Sequence, residues 1–101
     1  MRIRVEQAAG TVGARLVDPE NFTDFAVELA VAADEARAAL TGRVELDGDQ
    51  AWVDEPWLRA LGTYDAAGRV EPYERMLGYA RDHGWVDARG RIGAHIVRTG
   101  Q

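Results

Sequence analysis

The chain has 101 residues, 47% of them hydrophobic and 29% charged, with a formal net charge of −5, as expected of one soluble domain spanning residues 1–101. It holds no cysteine, serine or lysine, so all 12 of its basic residues are arginine; disulfides, thiolate metal sites, serine or cysteine nucleophiles and lysine Schiff bases are thereby excluded. The acidic excess lies within residues 1–50 and no arginine run supplies the basic surface that phosphate backbones require, so no nucleic-acid partner is expected.

In chain order, residues 2–7 alternate, with Ile3 and Val5 on one side and Arg2, Arg4 and Glu6 on the other. Gly10 to Gly13 then lead into Ala14 to Val17, which predicts an N-terminal β-hairpin ended by Asp18-Pro19-Glu20-Asn21. Asp24 to Leu29 alternate again and predict a strand with Phe25, Val27 and Leu29 on one face. The alanine-rich residues 32–41, with Asp34 and Glu35 early and Gly42 beyond, predict a short helix.

Arg43 to Leu46, Asp47-Gly48 and Asp49 to Val53 predict a hairpin around a two-residue Asp-Gly turn, with Val44 opposite Ala51 and Glu45 opposite Gln50. Asp54 is placed to cap a helix from Glu55 to Leu61, closed by Gly62. A longer helix is predicted from Val70 to His83, with Val70, Tyr73, Leu77 and Ala80 as its apolar stripe, a Glu71–Arg75 surface pair, and Gly84 as terminator. Trp85 is positioned to fold back on its last turn, and His83 to meet the negative end of the helix. Trp85-Val86 and Ile92 to Val97 then flank a loop, Asp87 to Gly90, as a last hairpin.

From about residue 24 to 98 the order is strand, helix, strand, strand, helix, strand, which predicts a ferredoxin-like βαββαβ core in an α+β fold, preceded by the extra hairpin. Both helices then cover one face, into which Phe25, Val27, Leu29, Val44, Leu46, Ala51, Val53, Ile92, Ala94 and Ile96 point. The other face carries Glu28, Glu45, Gln50, Trp52, Arg91 and His95, and a Trp there implies cover by the N-terminal hairpin or by a second subunit. In the ferredoxin-like order Glu28 and His95 lie on neighbouring strands. A carboxylate beside an imidazole orients it and raises its basicity, so His95 and Glu28 are the candidate catalytic pair, with Trp52, Gln50 and Arg91 as candidate ligand-binding residues.

Other motifs fail on spacing. Counted from Asp47, a calcium loop would need an oxygen ligand where Ala51 stands and glycine where Trp52 stands. Gly90-Arg91-Ile92-Gly93 matches a GxxG phosphate clamp only in letters, because it opens a strand instead of joining two helices. Two histidines in different elements make no metal site, so neither a metal nor a cofactor is expected. The opening residues are not a signal peptide and no apolar run spans a bilayer, so the expectation is a cytoplasmic protein with no membrane partner.

Ala51-Trp52-Val53-Asp54, the stretch Met76 to Asp87 containing Gly84-Trp85-Val86-Asp87, and Ala94-His95-Ile96 together carry a resemblance. In their order they resemble segments of small uncharacterised proteins of GC-rich actinobacteria, over about residues 43–97. The resemblance implies a bacterial cytoplasmic origin and carries over no catalytic residue. Two functional readings follow. The first is a dimeric accessory or protein-binding domain, its partner a protein or a second copy. The second is a cofactor-independent enzyme or binder of small molecules, of isomerase, cyclase or hydrolase type, working through His95 and Glu28.

Overall fold

The computed structural model describes residues 1–99. Its elements in chain order are β1 (Arg2–Ala8), β2 (Thr11–Val17), β3 (Ala26–Leu29), α1 (Ala33–Ala39), β4 (Val44–Asp47), β5 (Gln50–Val53), α2 (Glu55–Leu61), α3 (Val70–Asp82) and β6 (Ile92–Arg98). One mixed six-stranded sheet, in the order β2-β1-β3-β6-β5-β4, joins all the strands, so the fold is α+β with an N-terminal hairpin.

That hairpin turns on Ala9-Gly10, at φ +54° and +79°, the positive pair that a type I′ turn requires. Ile3 and Val5 enter the core while Arg2, Arg4 and Glu6 face outward, as the alternation predicts. The chain then crosses beneath the start of β1, where the Met1 ammonium donates to the carbonyls of Asn21 (2.6 Å) and Asp24 (2.9 Å). β3 therefore emerges on the far side of β1 and runs parallel to it, with Ile3 beside Val27 and Val5 beside Leu29.

Here the lateral order departs from the ferredoxin-like expectation. That order would seat β3 between β6 and β5. Instead β6 lies between β3 and β5, parallel to the first and antiparallel to the second. The cause is the hairpin: β1 occupies one edge of β3, leaving a single edge, which β6 takes. All four residues of β3 are buried as a result, the usual condition of a parallel strand flanked on both edges. The hairpin thus extends the sheet instead of covering its outer face. The sheet in turn curls, since α1 lies against both edge strands, β2 and β4.

The residues expected on the helix-covered face are there. Val27, Leu29, Val44, Leu46, Ala51, Val53, Ile92 and Ala94 are buried, and Phe25 and Ile96 pack against them. The β4–β5 hairpin pairs Val44 with Val53 and Leu46 with Ala51, one residue displaced at the turn from the expected register. Its loop is Gly48-Asp49, with Gly48 at φ +62°, the glycine-first arrangement of a type II′ turn. Moving the turn by one residue moves each partner by two, so every side chain keeps its face.

Under the helices sits an aromatic stack. Tyr64 and Tyr73, both inaccessible to solvent, lie 4.3 Å apart and 7° from parallel. The Tyr64 hydroxyl donates to the Pro19 carbonyl (2.6 Å) and the Tyr73 hydroxyl to Glu55 (2.9 Å). Glu55 is in turn gripped by Arg59, which also reaches Asp65 and Glu74. Asp54 caps α2 by accepting the Trp57 N–H at 3.1 Å. Gly62, just past α2, has no room for a side chain, because a Cβ there would lie 2.2 Å from the Tyr64 ring.

Candidate functional site

The site arises from how β6 is flanked. β5 pairs with it from Ile92 to His95, but β3 joins only from His95 onward, opposite Ala26. Before that point the same side of β6 is met by Trp85-Val86: Val86 bridges Ile92, and the Gly93 N–H donates to the Trp85 carbonyl at 2.7 Å. Of the expected last hairpin, this bridge is what forms. Between the segment entering β3 and this short strap the sheet is split.

A cavity of about 540 Å³ opens at the split, walled by Phe22, Phe25, Met76, Tyr79 and Trp85, with Ile92 and Gly93 of β6 beneath and Arg75 at its side. A second, of about 260 Å³, shares Thr23, Phe25, Trp85 and Gly93 with the first and adds Asp24, Gln50 and His95. The two form one cleft with an apolar body and a polar end.

Each wall has a local cause. α3 ends at Gly84 (φ +72°), and the Trp85 N–H donates back to the Ala80 carbonyl at 2.8 Å, which fixes where the indole starts. Its ring meets Tyr79 edge-on at 5.6 Å, and the Tyr79 ring stacks on His83 at 4.0 Å. His83 Nδ1 lies 2.9 Å from the Tyr79 carbonyl, so a proton on that nitrogen donates to the helix end. On the floor, Gly93 leaves space that Gln50 uses: a Cβ there would lie 2.6 Å from the Gln50 amide nitrogen.

The residues singled out from sequence go to three different places. Gln50 and His95 do meet at the polar end of the cleft, paired across β5 and β6. Trp52 and Arg91 line a separate cavity of about 350 Å³ with Arg43 and Arg89. There Arg91 is already held, by Asp87 at 2.7 Å and Glu45 at 3.2 Å; these bonds, Asp87 first, raise its pKa further above the ordinary arginine value.

Glu28 is elsewhere again. It shares the outer face with His95 as the alternation predicts, but its two oxygens are taken by Arg2 (3.1 Å) and Arg4. The carboxylate near His95 is Asp24, at 3.6 Å from Nε2 with both side chains half exposed. The expected His95–Glu28 pair is therefore replaced by two separate arrangements. The reason is again the position of β1, which sets Arg4 directly beside Glu28. Arg4 also binds Glu6, which Arg15 holds from β2; these hydrogen bonds, Arg15's first, keep the Glu6 carboxyl below the usual range.

Sequence reasoning missed Phe22, Arg75, Met76 and Tyr79 as site residues. A signal was present. Pro72, Met76 and Tyr79 stand at i, i+4 and i+7 on α3, a second apolar stripe beside the buried Tyr73, Leu77 and Ala80. Among the described residues no group of three histidines and carboxylates could hold a metal ion, and no helix is long and apolar enough to cross a membrane. Compared with models of known families, with curated proteins and with solved structures, the chain matches none.

Proposed function

We propose that this chain is a small-molecule-binding domain whose ligand occupies the split between the start of β3 and the Trp85 strap. The observation that carries this reading is the cleft itself. Its larger part, about 540 Å³, falls in the size range of small-molecule sites, and a few polar groups gather at one end of a mainly apolar lining, as such sites require. The ligand has a planar or compact apolar body for Phe25, Met76, Tyr79 and Trp85, and a hydrogen-bonding group for Gln50, His95 and Asp24.

The test is titration with a neutral probe, 2-naphthylmethanol, followed by amide NMR and calorimetry. One-to-one binding is expected, with shifts centred on Met76, Tyr79, Trp85 and Gly93, and a loss of about tenfold in affinity for Trp85→Ala, from removal of one aromatic wall. Absence of binding, or shifts scattered over the surface, overturns the reading.

A second reading, the protein-binding or homodimeric domain, is favoured by one observation. Tyr79 and Trp85 are the exposed large hydrophobic side chains, at 56% and 49%, and they stand together on the rim of the cleft. Sedimentation distinguishes it: a dimer in which Trp85 becomes shielded from acrylamide quenching supports this reading over the first.

A further inference from the structure

Resting on the small-molecule reading, we infer that the ligand is a monocarboxylate, bound with its acid group on Arg75 and its apolar body along α3. Arg75 lies on the face of α3 that forms the cleft wall, between Pro72 and Tyr79. Elsewhere the arginines of this acidic chain are often engaged: Arg2 and Arg4 by Glu28, Arg59 by three carboxylates and the Tyr73 ring, Arg91 by Asp87 and Glu45. Arg75, among the described residues, has no carboxylate within 4.0 Å and no ring beneath it.

Its natural helical partner is Glu71, one turn earlier, and a Glu to Arg pair at that spacing is favourable. The structure does not form it. The next acid along the helix, Glu74, is drawn away to Arg59 at 2.8 Å. Arg75 thus lines an apolar cavity as an exposed arginine with no ion-pair partner among the described residues, and the planar fork of a guanidinium matches a carboxylate in a two-bond geometry.

Three features narrow the class to one negative charge. Arg75 is the one charged residue lining the apolar cavity, the aromatic and aliphatic side chains around it offer little to solvate a second charge, and the net charge of −5 opposes a dianion such as a phosphate monoester. At the other end Asp24 stands beside His95, which disfavours a second acid there and favours a hydroxyl, amide or amine. The expected ligand is therefore an apolar acid with its single charge at the α3 end.

The experiment compares 2-naphthoate with 2-naphthylmethanol on the whole chain. 2-Naphthoate is expected to bind about tenfold tighter, the size of one charge-assisted contact at a half-open site, with the preference shrinking as salt rises. Arg75→Gln should bring the two probes to equal affinity, and Arg75→Lys should keep part of the preference for 2-naphthoate. Equal binding of both probes to the parent chain overturns the monocarboxylate inference and leaves the cleft reading standing. A preference that survives in Arg75→Gln also overturns it, since the charge would then be read elsewhere. If neither probe binds, both proposals fall.

Discussion

Glu28 shows what alternation in a sequence can and cannot say about a single side chain. Its parity with His95 is legible from residues 24–29 and 92–97, and the structure keeps both on the outer face. Its partners are not legible, because they come from β1, whose place beside β3 no local pattern encodes. At 7% exposure, Glu28 is held between two guanidiniums. Glu28→Gln should leave Arg2 and Arg4 facing each other and cost about 1–3 kcal/mol in urea unfolding, at the low side for a broken buried pair since both arginines remain partly solvated. Binding of 2-naphthylmethanol should not change, because Glu28 lies outside the cleft. Gly62 is the counterpart in the core. Gly62→Ala must push a ring that is stacked on Tyr73 and tied by its hydroxyl to Pro19, so about 1–3 kcal/mol of stability should be lost by the same measurement.

At the scale of elements, most of the fold could be read. The helix from Glu55 to Leu61 begins and ends where its cap and following glycine place it, and Asp54→Ala should lower stability by about 1 kcal/mol by removing the oxygen that the Trp57 N–H needs. The β4–β5 hairpin shows a finer limit. Asp47-Gly48 and Gly48-Asp49 are both acceptable two-residue loops, and what decides between them is the pairing of Val44 with Val53 and Leu46 with Ala51 in the core, a preference of packing and not of turn chemistry. α3 was legible as a helix and only half legible as a surface. Its core stripe accounts for Tyr73, Leu77 and Ala80, while the neighbouring stripe of Pro72, Met76 and Tyr79 has meaning only once Phe25 and Trp85 are known to face it. The candidate site was accordingly readable at Gln50 and His95 and hidden at its apolar wall.

The whole molecule depends on contacts that join distant parts of the chain, and these were the least visible in the sequence. Tyr64 and Tyr73 illustrate this: one closes the loop after α2 by reaching Pro19, the other ties α3 to Glu55, and their stacked rings lie beneath the sheet. Burial pushes the Tyr64 phenol up to about 12, and burial followed by the Glu55 hydrogen bond pushes Tyr73 still higher. Because both folded values exceed that of an unfolded tyrosine, the stabilisation is complete below pH 10 and is lost as pH rises beyond it. Urea midpoints should therefore hold level up to about pH 9 and fall steeply above about pH 10. Tyrosinate absorbance from these two rings should rise together with loss of far-ultraviolet circular dichroism, not before it.

The seat of β6 between β3 and β5 has a further consequence for how the protein is made. β6 is the last of the described strands in chain order, yet it occupies an interior position in the sheet. During synthesis the hairpin with β3 and the β4–β5 hairpin must wait as two separate ribbons, each with a bare, apolar-sided edge, until residues 92–98 leave the ribosome. Such edges readily recruit the wrong strand. The short length of β3 and β5, four residues apiece, limits how long a mispaired ladder either can nucleate before β6 arrives.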